Sequence, residues 1–167
     1  KIKVINNDIL SCYNKLEFNE PVKVYGNLPY NISTQILISF LKIENLKEFC
    51  KKFVFVFQKE VAERIVAKEN SKYYGRLSIL TASKMNRKKL FDISPESFIP
   101  KPKVWSSLVV LEPKISLLKN VEINKLEHIT RIFFSQRRKK IRKPFKQLFK
   151  NYEKIANDLN IDLHIRP

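Results

Sequence analysis

Alternating apolar and helical patterns divide the first part of the chain into strands and helices. Residues 22–25 and 53–57 are short runs of apolar and β-branched side chains, which predict two buried strands, the second buried on both faces. Residues 35–41 predict a helix after the first strand. After the second strand, the apolar residues of 58–68 recur with helical spacing, which predicts another helix. This order of strand, helix, strand and helix is typical of a parallel α/β sheet.

The sheet pattern continues towards the middle of the chain. Residues 76–84 predict a further helix, and residues 88–93 and 105–111 predict two further strands. Between these strands, the two prolines within residues 98–103 exclude regular secondary structure and predict a stiff, extended loop.

The composition changes beyond Pro113, where two amphipathic helices flank a basic segment. Residues 121–135 predict the first helix, whose inward side chains are expected to be Leu126, Ile129, Ile132 and Phe133. Residues 151–159 predict the second helix. We therefore expect an α/β domain over residues 1–115 and a small helical domain over residues 116–167.

An excess of positive charge narrows the functional classes. The chain has 33 Lys and Arg residues against 16 Asp and Glu residues, for a formal net charge of +17. Such an excess favours a polyanionic partner, with nucleic acid as the first choice and an anionic membrane surface as the second. Seven of the ten residues from Arg137 onward are basic, a density that fits phosphate contacts better than a solvated helix face.

Other features of the sequence argue against membrane, disulfide and metal chemistry. No apolar run approaches the roughly 20 residues of a membrane span, and the N-terminus has no signal-peptide pattern, so we expect a cytoplasmic protein. Cys12 and Cys50 are far apart and lack a neighbouring Cys or His cluster, and His128 and His164 are isolated. We therefore expect no disulfide framework and no metal site.

The candidate chemistry centres on the loop between the first strand and its helix. Its sequence over residues 26–34 is Gly-Asn-Leu-Pro-Tyr-Asn-Ile-Ser-Thr, and ligands of open α/β sheets bind at the carboxyl ends of strands, where this loop is expected. Pro29 restricts its own backbone and that of Leu28, which would direct the Leu28 carbonyl and the Asn27 side chain. Tyr30 supplies a face for stacking, so the loop suits a nucleobase.

Each candidate residue also has an ordinary structural explanation. The central loop is compatible with a simple turn in which Ser33 or Thr34 caps the following helix. Asp8 follows residues 3–5, which resemble the end of a strand, and could bind an adenine amine or a ribose, but Asp after Asn is also common in turns. Phe98, in the proline loop, could stack on a flipped base or could plug the core.

Five segments, in this order, resemble one known family. They are Asn-Leu-Pro-Tyr-Asn-Ile-Ser-Thr at residues 27–34, Gln-Lys-Glu-Val at 58–61, Ser-Lys-Tyr-Tyr-Gly-Arg-Leu-Ser at 71–78, Phe-Ile-Pro-Lys-Pro-Lys-Val at 98–104 and Phe-Ser-Gln-Arg-Arg-Lys at 134–139. Together they closely resemble the KsgA-type ribosomal RNA adenine dimethyltransferases over nearly the whole chain. The resemblance implies a partial Rossmann-like class I methyltransferase sheet followed by a small α-helical domain.

The resemblance also implies an activity. It implies transfer of methyl groups from S-adenosylmethionine to the exocyclic N6 amine of two adjacent adenosines near the 3′ end of small-subunit (16S) rRNA, in ribosome biogenesis. Such an enzyme would act on the immature small ribosomal subunit, and we expect a monomer that needs neither a metal nor a membrane.

Site residues follow from the same motifs. The resemblance assigns the catalytic and base-binding positions to Asn27, Leu28, Pro29, Tyr30 and Phe98, and the cofactor contacts to Asp8, Ile9 and Asn27. It matches the segment associated with rRNA to Gln136, Arg137, Arg138 and Lys139. With the neighbouring basic side chains, we expect further RNA contacts from Lys101, Lys103, Lys140, Arg142 and Lys143.

The chain departs from the family pattern at both ends. Family members carry a glycine-rich cofactor loop and a ribose-binding acidic residue upstream of the position of Asp8, whereas the glycines here are Gly26 and Gly75. Residues 162–167 end the chain where family members continue. We therefore expect an internal fragment of a longer enzyme, which by itself binds S-adenosylmethionine weakly or not at all.

Two other functions remain compatible with these residues. A resistance-type methyltransferase acting on large-subunit rRNA shares the Asn-x-Pro-Tyr loop and the Pro-Lys-Pro-Lys stretch, although residues 71–78 and 136–139 favour the small-subunit family. A non-catalytic relative that serves in ribosome assembly or as a transcription factor would keep the basic module. The intact Asn27, Pro29 and Tyr30 favour catalysis over this second alternative.

Overall fold

Two compact units divide the chain. The computed structural model describes residues 2–114 and 122–167, and the units are Lys1–Asn120 and Val121–Pro167. The domain boundary expected between residues 115 and 116 lies outside the described residues.

In the first unit, residues 2–114 contain a four-stranded mixed sheet. Its strands are β1 (Val22–Asn27), β2 (Cys50–Gln58), β3 (Met85–Ile93) and β4 (Ser106–Pro113), in the spatial order β1-β2-β4-β3. β1 is parallel to β2, whereas β4 is antiparallel to both β2 and β3. The sheet is therefore mixed rather than parallel throughout, because the connection at residues 94–105 returns the chain beside β3 without a crossover helix.

Short helices precede and connect these strands. They are α1 (Ile9–Cys12), α2 (Ser33–Leu41), α3 (Leu46–Phe49), α4 (Lys59–Val66) and α5 (Arg76–Lys84), with single 3₁₀ turns at Tyr13–Lys15 and Pro95–Ser97. The helix predicted over residues 76–84 is confirmed as α5. Those predicted over residues 35–41 and 58–68 are confirmed as α2 and α4, with small shifts at their ends.

One face of the sheet is buried and the other is partly open. Alternate residues of β2 point into the core and are almost inaccessible: Phe53, Phe55 and Phe57. Phe40 of α2 packs against them, with its ring centroid 5.0 Å from that of Phe53. Val54 and Val56 point to the opposite face and are only partly buried. The prediction that this strand is buried on both faces is therefore wrong, because the described helices pack on the phenylalanine face.

The β1 edge is more exposed than its sequence pattern predicts. β1 pairs only with β2 among the described strands, and its side chains alternate between partly buried and exposed, with Tyr25 67% exposed. Residues 3–5 belong to no strand, and Val4 is 84% exposed. An apolar segment forms a strand only where a partner satisfies its backbone groups. No described strand pairs with residues 3–5, so the strand end predicted there is wrong.

The described part of the second unit, residues 122–167, contains three helices. They are α6 (Ile123–Phe134), α7 (Arg142–Leu148) and α8 (Tyr152–Asp158). The buried side chains of Ile141, Phe145 and Ala156 form its core, and the Phe133 ring meets that of Phe145 edge-on at 5.5 Å between centroids. The two helices predicted by amphipathic patterns are confirmed as α6 and α8, although residue 121, the first of the predicted α6, lies outside the described residues. The basic segment itself supplies α7.

The buried face of α6 differs in one position from the prediction. Ile129, expected to point inward, is 40% exposed, and the neighbouring Thr130 is buried. The Thr130 hydroxyl donates a hydrogen bond to the carbonyl of Leu126 at 2.7 Å. This bond satisfies the polar group within the helix itself, so Thr130 can be buried at low cost.

Candidate functional site

Strand register gathers the candidate loops at one end of the sheet. Asn27, the last residue of β1, pairs with Val56, two residues before the end of β2. Gln58, the last residue of β2, pairs with Ser106, the first residue of β4. Ser106 also pairs with Ile93, the last residue of β3. The loop after β1, the start of α4 and the proline loop between β3 and β4 therefore share this end.

A side-chain hydrogen bond joins two of these loops. The Tyr30 hydroxyl lies 2.5 Å from Ser106 Oγ, and either group can be the donor. The backbone at Tyr30 is held as well, because its carbonyl accepts a hydrogen bond from the buried Ser33 hydroxyl at 3.1 Å. Ser33 thus lies in the first turn of α2 as a donor to the loop. The structure shows no side-chain cap at this helix N-terminus, so the capping alternative for Ser33 and Thr34 is wrong.

Exposed and partly buried side chains alternate along the rest of the loop. Asn27 and Pro29 are exposed, and Leu28 is partly buried. Gly26 permits this arrangement, because a Cβ atom at that position would lie 2.7 Å from Leu28 Cδ2 and 3.2 Å from Phe55 Cδ1. The Leu28 side chain therefore packs over a glycine at the edge of the core, while the Asn27 side chain remains accessible.

Phe98 lies in the proline loop that joins β3 to β4 at this end of the sheet. Its backbone is extended, and its N–H donates a hydrogen bond to the carbonyl of Pro95 at 3.2 Å. Its side chain is partly buried, whereas the next residue, Ile99, is fully exposed. The Ile99–Pro100 peptide bond is cis. The predicted extended loop therefore places a partly accessible aromatic ring before the start of β4.

A charged cluster that sequence reasoning missed lies at the same end of the sheet. Asp92 accepts hydrogen bonds from Lys89 Nζ at 2.8 Å and from the Ser107 hydroxyl at 2.7 Å, and forms an ion pair with Lys59 Nζ at 2.7 Å. These partners, above all Lys59, hold the pKa of Asp92 well below its usual range. Lys59 Nζ also lies over the ring of Trp105, 5.9 Å from its centroid. No local motif indicates this cluster, since its members come from α4, β3 and β4, which only the tertiary structure brings together.

Two of the three predicted cofactor residues, Asp8 and Ile9, lie at the start of α1. Asp8 is the N-cap of this helix, and its Oδ1 accepts a hydrogen bond from the backbone N–H of Leu10 at 2.9 Å. Ile9 is the first helical residue and is partly buried. The turn chemistry considered for Asp8 is therefore present, but the carboxylate is exposed and has a second oxygen that can accept another hydrogen bond. α1 packs against α2, the helix that follows the Asn27 loop.

The basic residues divide between the two units. In the proline loop, Lys101 forms an ion pair with Glu96, and Lys103 is exposed. In the second unit, Arg137 and Arg138 are exposed. An open pocket of about 520 Å³ is lined by Gln136, Lys139, Lys140, Arg142, Lys143, Lys146 and Tyr152. Sequence reasoning identified most of this lining, but it missed Lys146 and Tyr152, which helical spacing and packing add to the pocket.

Hydrogen bonds fix one wall of that pocket. The Arg142 guanidinium donates to the Tyr152 hydroxyl at 3.2 Å and to Glu153 Oε1 at 3.0 Å, and the Tyr152 hydroxyl donates to the same carboxylate at 2.7 Å. These contacts with Tyr152 and Glu153 raise the pKa of Arg142. The pocket therefore combines an ordered guanidinium, an aromatic ring and several exposed ammonium groups, a combination suited to a phosphate chain.

Residues 2–114 and 122–167 contain no group of three or more His, Cys, Asp or Glu side chains that could hold a metal ion. Within those ranges, no helix is long and apolar enough to cross a membrane.

Known proteins with similar sequences share one description. The family model described as "Ribosomal RNA adenine dimethylase" matches residues 1–165. The chain is 47% identical to the "Ribosomal RNA small subunit methyltransferase A" of Pelagibacter ubique (strain HTCC1062), over 167 residues that cover 100% of the chain and 64% of that relative. It is 45% identical to the protein of the same name from Ehrlichia ruminantium (strain Gardel), over 88% of the chain and 55% of that relative.

Solved structures agree with the fold. A dimethyladenosine transferase from Plasmodium falciparum superposes with a TM-score of 0.68 at 28% identity, covering 92% of this chain and 57% of that one. The 23S rRNA methyltransferase ErmE superposes with a TM-score of 0.66 at 19% identity, over 98% of this chain and 64% of that one, which supports the fold alone. The predicted partial methyltransferase sheet is thereby confirmed.

These comparisons also define how much of a relative the chain represents. It spans less than two thirds of the length of each of the two curated relatives. The residues matched by the family model, 1–165, include all the motifs that carry the resemblance. The chain therefore belongs to the ribosomal RNA adenine dimethylase family.

Proposed function

We propose that the protein dimethylates the N6 amine of two adjacent adenosines near the 3′ end of small-subunit rRNA, with S-adenosylmethionine as the methyl donor. One observation carries this proposal. The Tyr30–Ser106 hydrogen bond joins the Asn27 loop to the start of β4 at the end of the sheet, where the proline loop carries Phe98. The name shared by the relatives, "Ribosomal RNA small subunit methyltransferase A", supports the choice of small-subunit rRNA.

Asn27 and Leu28 would prepare the amine for methylation. The lone pair of an adenine amine is delocalised into the ring, so the nitrogen is a weak nucleophile until its hydrogens are drawn out of the ring plane. The exposed Asn27 side-chain oxygen and the Leu28 carbonyl are two acceptors for those hydrogens. They would also stabilise the positive charge that develops on nitrogen during transfer.

Tyr30 and Phe98 would hold the base between aromatic surfaces. Both side chains are partly buried, and the hydroxyl of Tyr30 is fixed by Ser106. Stacking on a fixed ring places the target nitrogen without a covalent intermediate, and such positioning supplies a large part of the rate in a displacement reaction. The two rings would therefore act chiefly by orienting the target adenine.

The described residues fit one part of a cofactor site. Asp8 offers a free carboxylate oxygen to an adenine amine beside the partly buried Ile9, and Asn27 lies exposed at the end of β1. When bound, S-adenosylmethionine supplies an activated sulfonium methyl group, so the residues around it need to orient and desolvate the attacking amine. The glycine-rich loop expected for the remainder of such a site does not occur in this sequence.

The second unit would contribute RNA affinity. Its pocket presents the cations of residues 139–146 together, and phosphate contacts of this kind depend strongly on salt but weakly on sequence. Lys101 and Lys103 would add contacts near the base, Lys101 after exchange of its surface ion pair with Glu96 for a phosphate.

The test is methyl transfer by the full-length protein to immature small ribosomal subunits, read as N6,N6-dimethyladenosine by mass spectrometry of digested rRNA. We expect dimethylation of two adjacent adenosines, with transfer slowed by about 100-fold when Asn27→Ala replaces the wild type under single-turnover conditions. Large ribosomal subunits serve as the control substrate. Binding of small-subunit rRNA without any methyl transfer would instead identify a non-catalytic RNA-binding protein, and methylation of large subunits alone would identify the resistance-type activity.

A further inference from the structure

We propose that Trp105, supported by Lys59, forms a stacking site for the RNA nucleotide next to the target adenosine. This inference rests on the proposed function, because it concerns the RNA strand that would enter the same end of the sheet. Trp105 is the only tryptophan in the sequence, and the role proposed for it deepens the substrate recognition of the site.

The position of Trp105 combines exposure with a fixed backbone. Half of the residue, 50%, is exposed, although it directly precedes the buried first residue of β4. Its carbonyl accepts a hydrogen bond from the backbone N–H of Lys59 at 2.9 Å, which ties it to the start of α4. A large aromatic surface held open at a candidate nucleic-acid site is suited to base stacking, because every base has a face that can stack.

Lys59 places a positive charge next to the Trp105 ring. Its ammonium lies over the indole ring, 5.9 Å from the centroid, and is held there by the ion pair with Asp92 at 2.7 Å. Asp92 also accepts the Lys89 ammonium, so the three side chains together carry a net charge of about +1, counting each as ionised at neutral pH. That residual positive charge can attract the phosphate that joins a stacked nucleotide to its neighbour.

The geometry selects the neighbouring nucleotide rather than the target base. Trp105 is adjacent in sequence to Ser106, whose hydroxyl binds Tyr30, so the two aromatic residues lie at the same end of the sheet. Successive side chains of an extended chain point to opposite faces, and Trp105 shares its cluster with Ser107 through Asp92 and Lys59. Trp105 therefore flanks the Tyr30 site from the other side of β4, where the next nucleotide of a single strand can reach it.

The experiment measures the change in tryptophan fluorescence when RNA is added. Trp105 is the only tryptophan in this sequence. If the protein used contains further tryptophans, the signal of Trp105 is the difference between the wild type and Trp105→Phe. The probe is a single-stranded RNA oligonucleotide with the two adjacent target adenosines, titrated into the protein. A matched oligonucleotide carries an abasic site beside the target, so that it keeps the phosphates and loses the stacking base. We expect quenching with the first RNA and little quenching with the second.

Variants supply an independent measurement on the substrate. Trp105→Ala should raise the KM for RNA in methyl transfer roughly tenfold with a smaller change in kcat, as expected when one stacked base is lost, and Trp105→Phe should restore most of the affinity. The control is Phe18→Ala, because Phe18 is 49% exposed but precedes β1 at the opposite end of the sheet. Its KM should match the wild type.

The possible outcomes separate this inference from the proposed function. Methyl transfer with no quenching, or with equal quenching by the intact and abasic RNAs, would overturn the stacking site and leave the methyltransferase intact. Quenching that depends on the neighbouring base, without methyl transfer, would support the stacking site and overturn the proposed activity. If Trp105→Ala unfolds, as judged by circular dichroism, Trp105→Phe and the abasic comparison still decide the question.

Discussion

The end of the sheet and the basic pocket of the second unit are encoded in opposite ways. At the sheet end, the hydrogen bond between Tyr30 and Ser106 joins residues that are 76 positions apart in the sequence. In the second unit, the cations that line the pocket come from one short stretch, residues 139–146. The first site therefore depends on strand register, and the second depends on local composition.

This difference has a consequence for function. Register places individual atoms within hydrogen-bonding distance, which is what a reaction requires. A run of basic side chains supplies attraction to phosphate without fixing one geometry, which is what affinity requires. We therefore expect mutations at the sheet end to change turnover, and mutations in the pocket to change binding and its salt dependence.

The largest effect should come from Asn27→Ala. Loss of one of the two proposed acceptors should lower kcat by about 100-fold, by analogy with removal of one preorganised hydrogen-bonding group from other active sites. RNA affinity and its salt dependence should stay unchanged. Single-turnover methyl transfer and filter binding measure the two quantities, and Asn31→Ala, an exposed amide in the same loop, is the matched control. A parallel fall in affinity and turnover would show that the two regions do not divide the work as proposed.

The double variant Lys143→Ala and Lys146→Ala should have the opposite profile. Removal of two pocket cations should weaken RNA binding roughly tenfold at moderate salt and reduce the slope of log affinity against log salt by one to two, about 0.7 to 0.9 for each lost phosphate contact. The turnover number at saturating RNA should change little. The matched control removes two charges from the same unit outside the pocket lining, Lys125→Ala with Lys154→Ala. Equal salt slopes for the two double variants would mean that the pocket has no special role.

A smaller effect is expected from Tyr30→Phe. This change keeps the aromatic ring and removes the hydrogen bond to Ser106, which should cost about 1 kcal/mol in the free energy of unfolding and reduce kcat/KM several-fold through a less ordered loop. Ser106→Ala should have a similar effect. Denaturant unfolding of both single variants and the double variant tests the pair, because partners in one hydrogen bond give effects that do not add. Additive losses would contradict a direct role for this bond.

The smallest effect at neutral pH is expected from Asp92→Asn, which should change the pH dependence of the free energy of unfolding in acid. The pKa of Asp92 is depressed in the folded protein by Lys59, Lys89 and Ser107, so the unfolded chain binds a proton at higher pH than the folded one. The stabilisation is therefore fully present above the ordinary aspartate pKa of about 3.9 and is lost as the pH falls below it. Asp92→Asn should remove this part of the pH dependence, measured as the free energy of unfolding between pH 5 and 2.5. An unchanged slope in the variant would exclude Asp92 as its source.

Local patterns were sufficient for most of the secondary structure. The helix at residues 76–84 was predicted with its final bounds, since Gly75 precedes its first residue and its apolar spacing is helical. The strands β1, β2 and β4 were found because each contains a run of apolar side chains, whereas only residues 88–93 of β3 were predicted because its first half is polar. The parallel arrangement was predicted only in part, because the direction of β4 depends on where its connection returns and not on its own residues.

By itself, the sequence determined the family motifs, the order of the elements and the basic stretch, because each of these is a property of neighbouring residues. Only the tertiary structure decided which side chains meet: Tyr30 with Ser106, Asp92 with Lys59, and Trp105 with Lys59. It also decided that residues 3–5 form no strand and that Ile129 is exposed. The physical reason is that pairing, register and burial depend on partners distant in the chain, and a local pattern carries no record of which partner is present.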